Sequence, residues 1–201
     1  MSSTPTSTQT APTTQIAPTI PKRADARRNY ERILTVARTA FAEGGESTSL
    51  EEIARRADVG IGTLYRHFPS RQALLETLYV KEVHEVCRSA SASEQDPWQA
   101  LSVWCEGLID YLCTKRALAQ ELLKYLDEDA ALFQLCRRTV YDAGEPLLER
   151  AQDAGIVRAD VDLSDLLQML GGISRLPAND PAQVRHVVRI ALDGLRYRSP
   201  A

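Results

Sequence analysis

An all-α fold is predicted by three features of this 201-residue sequence. Apolar residues return every three or four positions along most of the chain, the period of one buried helix face. Segment ends carry helix caps and stops, namely Ser, Asp, Gly and Pro. No alternating pattern of a half-buried strand runs for any length. The composition, 44% apolar and 25% charged, is that of a soluble globular protein, and 201 residues suffice for one or two small domains with a real core.

Residues Met1 to Pro21 are rich in Ser, Thr and Pro and have almost no apolar bulk. They cannot bury enough surface to offset the entropy of ordering, so a disordered tail over 1–21 is expected. The first helix is expected from about Ala24 to Glu43, with Tyr30, Ile33, Leu34, Ala37 and Phe41 as its buried stripe and Gly44-Gly45 as its stop. Arg27 and Arg28 lie in its first turns, where the helix dipole prefers acidic side chains. That mild electrostatic penalty points to another use, and phosphate contact is the obvious one; two solvated arginines are the alternative.

The most informative stretch runs from Ser49 to Arg71, SLEEIARRADVGIGTLYRHFPSR. Leu50, Ile53, Ala54 and Ala57 form one stripe. Ser49 is placed as N-cap, with Glu52 three residues on, matching a capping box. Asp58-Val59-Gly60 is a turn, in which Gly60 tolerates dihedrals that other residues avoid. A second short helix starts near Ile61, with Leu64 and Phe68 inward and Thr63 and His67 together on another arc, flanked by Tyr65. Pro69 stops this helix and Ser70 caps the next. Two helices joined by a tight turn, with hydroxyls and an imidazole outside, suit the major groove of DNA. Thr63, Tyr65 and His67 are donors to phosphate oxygens, Arg71 adds a fixed positive charge, and the Thr63 methyl matches a thymine methyl. Gly62 leaves room for a close backbone approach, and Ser49 stands beside this surface at the start of the first of the two helices.

The stretch Thr48 to Leu75, TSLEEIARRADVGIGTLYRHFPSRQALL, preceded by an amphipathic helix ending AFAEGG, closely resembles the DNA-binding domain of the tetracycline-repressor (TetR) family of bacterial transcriptional regulators. The resemblance implies that Thr63, Tyr65, His67 and Arg71 sit where the family touches DNA. It places Ile61 and Gly62 where bases are often contacted, although neither offers a side-chain hydrogen bond. It implies an N-terminal three-helix DNA-binding domain over 22–70 and a C-terminal helical ligand-binding and dimerisation domain over 71–201.

A fourth helix, about Arg71 to Ser89, links reader to body through Leu74, Leu75, Leu78, Tyr79, Val83 and Val86. The resemblance gives this helix the task of transmitting ligand-induced motion. Ser89 to Asp96 is small and polar, a linker. Then come a helix from Pro97 to Cys113, a short one from Arg116 to Leu126, and a long one from Ala130 to Gln152 that Gly144 and Pro146 should kink or break. Ala154 to Val157 is a turn. Leu163, Leu166, Leu167 and Leu170 recur at helical spacing before Gly171-Gly172, where two glycines each cost about 1 kcal/mol that a closely packed helix would offset. The last helix takes Asp180 as cap and Pro181 first, with Val184, Val187, Val188, Ala191, Leu192 and Leu195 on one face. The resemblance makes these last two helices a four-helix dimer interface; burial inside one chain is the other reading.

The net charge of −3 taken alone disfavours a nucleic-acid partner, but its distribution does not. Residues 22–71 hold ten Lys and Arg against seven Asp and Glu; residues 72–201 hold fourteen against twenty; the first 21 carry none. A basic reader on an acidic body is compatible with double-stranded DNA as partner. No run of roughly 18 apolar residues or secretory signal is found, so a cytoplasmic, DNA-associated protein without a membrane partner is expected. Cys87, Cys105, Cys113 and Cys136 form no CxxC pair, and with three scattered histidines no metal-site spacing is present. Reduced buried thiols are the plain reading, a redox sensor the alternative.

No P-loop, nucleophile elbow or HExxH occurs, and no cofactor or enzymatic activity is expected. Trp98, Trp104, Tyr111, Tyr125, Phe133 and Tyr141 concentrate aromatic mass in the body, as core or as the wall of a cavity. The family precedent favours Trp104, Tyr111 and Phe133 as lining for a small-molecule effector, with Tyr125, Cys105 and Cys136 beside them. The sequence therefore predicts a ligand-responsive homodimeric regulator, a repressor on an inverted-repeat operator. The competing class is a small-molecule binder whose helix-turn-helix no longer reads DNA, and its support is the lack of side-chain donors at Ile61 and Gly62.

Overall fold

The computed structural model describes residues 24–91, 96–175 and 181–196. The stretches expected as a tail (1–21), as half of the polar linker (92–95) and as the Asp180 cap lie outside the described residues. Eight α-helices and one 3-10 turn make up the described chain: α1 (Ala24–Gly44), the 3-10 turn (Gly45–Ser47), α2 (Leu50–Arg56), α3 (Ile61–His67), α4 (Arg71–Ser91), α5 (Pro97–Leu122), α6 (Ala131–Asp153), α7 (Leu163–Ile173) and α8 (Pro181–Asp193). The fold is all-α, as the spacing predicts.

The reader is a small three-helix unit closed by its own core. Tyr30, Ile33, Leu34, Ala37, Ala40 and Phe41 of α1 meet Leu50, Ile53 and Ala54 of α2 and Leu64 of α3, all buried. Phe68 closes the bottom, stacked on Tyr30 with ring centroids 5.1 Å apart. Phe68 is extended (φ −133°, ψ 94°), as a residue before proline must be, and this ends α3 before Pro69. Ser70 Oγ then accepts from the Ala73 amide and starts α4.

Two local expectations are corrected. The left-handed residue of the α2–α3 turn is Asp58 (φ +50°), whereas Gly60 has an ordinary φ of −64°. Asp58 N donates to Arg55 O at 3.2 Å and Val59 N to Ala54 O at 3.0 Å, the paired bonds of a Schellman ending. Aspartate tolerates this conformation better than most residues, and Arg32 Nη2 holds the Asp58 carbonyl at 2.9 Å. The capping box is half made. Ser49 Oγ accepts from Glu52 N at 3.1 Å, but the Glu52 carboxylate turns to Arg55 and Arg56, which hold it at 2.7–2.9 Å.

The body is built around α4, which packs most extensively on α5 and α6. Leu74, Leu75, Leu78, Tyr79, Val80 and Val83 of α4 are buried in one continuous core with the reader. Asp96, expected in the linker, caps α5 by accepting from Trp98 N at 3.1 Å, with Pro97 behind it. The expected break between Cys113 and Arg116 does not occur. Nothing there stops a helix, and α5 runs unbroken from Pro97 to Leu122. Nor do Gly144 and Pro146 divide α6. Gly144 has a packing role instead: a Cβ there would stand 2.4 Å from Trp104 Cη2 and 3.0 Å from Leu163 Cδ1. The glycine lets the indole of α5 lie against the α6 backbone. α6 ends at Gly155 (φ +68°) in a second Schellman turn, with Gly155 N on Gln152 O and Ile156 N on Ala151 O.

Of the eight residues expected at a dimer interface, five turn inward instead. Leu163, Leu166, Leu170, Val188 and Leu195 are buried within the single chain, with Leu192 beside them. Their stripes face the chain's own body, since α7 packs on α5, α6 and α8, and α8 on α5 and α7. Leu167, Val184 and Ala191 remain half-buried. The outward apolar residue of α8 is Ile190, 59% exposed. Gly171 and Gly172 have open space around the position of a Cβ, so nothing among the described residues uses their smallness.

Candidate nucleic-acid interface

α3 presents a mixed polar face because only Leu64 of its seven residues is buried. With Leu64 inward, Tyr65 is 44% and Ile61 38% exposed, and Gly62 is open. Thr63 and His67 lie half-buried on the flank. The geometry brings together five of the expected residues, Ile61, Gly62, Thr63, Tyr65 and His67, on one helix. It adds one that the sequence reading overlooked. Arg66 is exposed, its Nε donating to Gly62 O at 3.2 Å and its Nη2 to Thr63 Oγ1 at 3.0 Å. A guanidinium resting on its own helix backbone has only weak bonds to break before meeting a phosphate or a guanine edge. The signal was available: an arginine between Tyr65 and His67, three residues after Thr63.

His67 is set by its neighbours. Its ring meets Tyr30 edge-on at 6.0 Å. Burial, then the Arg66 charge, hold its pKa below the ordinary 6.5. It is therefore a neutral imidazole at neutral pH, a hydrogen-bonding group rather than a cation. Tyr30 beneath it is pushed up to about 12 by burial, with Glu31 adding, and stays a phenol. Ser49 is exposed at the α2 N-terminus while its oxygen caps that helix.

Arg27 and Arg28 are exposed on the first turns of α1, as a phosphate contact requires. The dipole argument for them is weaker than the sequence suggests, because Asp25 occupies the same turn and pairs with Arg28. Arg71 departs from expectation altogether. Its side chain is 20% exposed and points inward. It donates to the Thr48 carbonyl, to Gly45 O at 3.2 Å and to Glu121 Oε2 at 2.9 Å, with its guanidinium 4.8 Å from the Phe41 ring centroid. A guanidinium so engaged is withdrawn from a phosphate.

In the body, Trp104, Cys105, Tyr111 and Cys136 are buried together in the core, and Phe133 packs edge-on against Tyr79 at 5.3 Å. Tyr125 does not join them: it is 44% exposed in the α5–α6 connection. Tyr79, expected from sequence only as part of the apolar face of α4, belongs to the group, for its phenol and that of Tyr111 interact and burial raises both pKa values. Trp104 Nε1 is buried and has no hydrogen-bond partner among the described residues. Burial raises the Cys87 thiol to about 11 and also raises those of Cys105 and Cys113, which disfavours a reactive thiolate at these positions. No helix among the described residues is long and apolar enough to cross a membrane.

Comparison with known proteins matches both halves of this architecture. Residues 33–78 match the family model of bacterial regulatory proteins of the tetR family, and residues 96–197 match the C-terminal domain model of SbtR-like transcriptional regulators. The chain is 29% identical over 161 residues to the HTH-type transcriptional repressor KstR of Mycolicibacterium smegmatis, covering 72% of this chain and 78% of that one. An HTH-type transcriptional regulator of Staphylococcus aureus is 36% identical over 67 residues, and there the match spans only 35% of that protein's length. Among solved structures, a TetR transcriptional regulator of Streptomyces coelicolor is 35% identical with a TM-score of 0.74, covering 85% of this chain and 99% of that one. A TetR transcription regulatory protein of Mycobacterium vanbaalenii is 35% identical with a TM-score of 0.72, covering 88% and 100%.

Proposed function

The chain belongs to the TetR family of bacterial transcriptional regulators, and from that premise we propose that it is an effector-responsive repressor acting as a homodimer on an inverted repeat. The observation that carries this reading is the outer face of α3. Tyr65 and Arg66 stand exposed, Thr63 and His67 flank them, and Leu64 roots the helix in the reader core. Arg66 supplies the donor that Ile61 and Gly62 lack. Arg27, Arg28 and Ser49 are assigned to the phosphate backbone on either side. Such contacts set register, while side chains on base edges set sequence.

Two copies would associate through the outward faces of α7 and α8, with Ile190, Leu167 and Val184 contributing apolar surface and Gly171-Gly172 allowing close helix approach. Two reader helices would then enter successive major grooves about 34–36 Å apart. A small effector with apolar surface and a hydrogen-bond acceptor would enter between α4, α5 and α6, where Tyr79, Tyr111 and Trp104 Nε1 offer polar contacts in an apolar setting. By binding one reader spacing better than another it would shift the population away from the DNA-competent form. Selection of bound fragments from genomic DNA tests the core of this reading. The expected product is an inverted repeat occupied by two chains; sequence-indifferent binding, or one chain per site, would refute it.

A further inference from the structure

We propose that Arg71 is a positioning residue for DNA binding, a bolt that fixes the reader to the end of α5 through Glu121, and that it makes no contact with DNA itself. This rests on the DNA-binding reading above and concerns how its surface is held. Arg71 begins α4, where a positive charge opposes the helix dipole, and Glu121 lies in the last turn of α5, where a negative charge opposes it. Each residue is poorly placed in its own helix and well placed for the other. Glu121 is 5% exposed and is held by Arg71 at 2.9 Å and by Lys124 at 2.8 Å.

Further contacts of Arg71 lie in the reader. The carbonyls of Gly45 and Thr48 accept its guanidinium, and the Phe41 ring of α1 lies beneath it. Thr48 is the residue before the α2 N-cap, and its own hydroxyl donates to Ala40 O at 2.8 Å. One side chain thus joins α1, the 3-10 turn, the entry to α2 and the end of α5. Only a planar fork with several donors can serve two carbonyls and a carboxylate at once, which a lysine ammonium cannot reproduce in that geometry. The orientation of α2, and of α3 packed on it, is set against the body at this point.

The test uses the full chain and the operator fragment recovered by selection. Fluorescence anisotropy is measured across a salt series for wild type, Arg71→Gln, Arg71→Lys, Glu121→Gln and the Arg71→Gln/Glu121→Gln pair. A bolt predicts that Arg71→Gln and Glu121→Gln each weaken binding about ten-fold and that the pair is no worse than the weaker single variant. It also predicts a salt slope equal to wild type. A phosphate contact at Arg71 predicts a slope shallower by about one in Arg71→Gln, with Glu121→Gln binding as wild type or tighter, because it removes a negative charge. That pattern would overturn the proposal. A second arm needs no DNA: hydrogen exchange should quicken several-fold in residues 44–53 of Glu121→Gln and remain unchanged in α6. Unchanged exchange in residues 44–53 would refute the bolt even if the chain bound no DNA, an outcome that would count against the proposed function separately.

Discussion

The reader and the far end of the body, α7 with α8, present similar amphipathic stripes in sequence and use them differently. In the reader, the stripes of α1, α2 and α3 meet one another in a core that continues into the body, and the polar remainder of α3 is left outward. In α7 and α8, the stripes of Leu163, Leu166, Leu170, Val188 and Leu192 close onto the body of the same chain, and the surface left for a second copy is sparse: Ile190, the half-buried Leu167, Val184 and Ala191, and a glycine pair. A regular apolar stripe says that something covers it, but not what. The outward remainder of a helix is the better guide to a partner.

That contrast can be broken at its foundations. Leu64→Ala removes the one fully buried side chain of α3, and truncations of this kind cost about 2–5 kcal/mol. Thermal and urea unfolding should show that loss, with operator binding abolished while α5 and α6 retain their helicity by circular dichroism. In the body the corresponding lesion is an addition. Gly144→Ala drives a methyl into the Trp104 ring and should cost about 1–3 kcal/mol, read as a lowered melting temperature with DNA affinity preserved at temperatures where the protein is folded.

The smallest expected effect is electrostatic and sharpens the same comparison. The His67 pKa is lowered in the folded chain, so below about 6.5 the unfolded chain binds more protons and stability falls with pH. Toward pH 8 the imidazole is neutral in both states and its contribution becomes flat. His67→Gln should remove the acid-side loss attributable to this residue, measured as the difference between urea midpoints at pH 7.5 and 5.5.

The reader was legible because its determinants are close in sequence. The Leu50, Ile53 and Ala54 stripe, the Ser49 cap, Leu64 with Phe68, and the Pro69 stop each act within a few residues, and α1, α2 and α3 fall where those signals place them. What escaped is longer-ranged or less usual. Asp58, not Gly60, takes the left-handed position at the Schellman ending of α2, and Arg32, 26 residues away, holds its carbonyl. Arg71 turned inward because Glu121 lies 50 residues on. Gly144 and Pro146 look like helix breakers, yet α6 continues through them while Trp104 packs against the glycine. The aromatic group in the body is partly visible in the sequence, but residue type alone places Tyr125 in it and leaves Tyr79 on the α4 stripe, since only the packing of α4 on α5 and α6 brings Tyr79 to Tyr111 and Phe133.

The central claim is that the outer face of α3 reads DNA. It is tested most directly by titrating the selected operator with Tyr65→Ala and Arg66→Ala, two exposed positions whose loss should leave the fold intact. Each should weaken binding by about 1–3 kcal/mol, roughly five- to 150-fold, with unchanged helicity and melting temperature. Wild-type affinity in both variants would contradict the account.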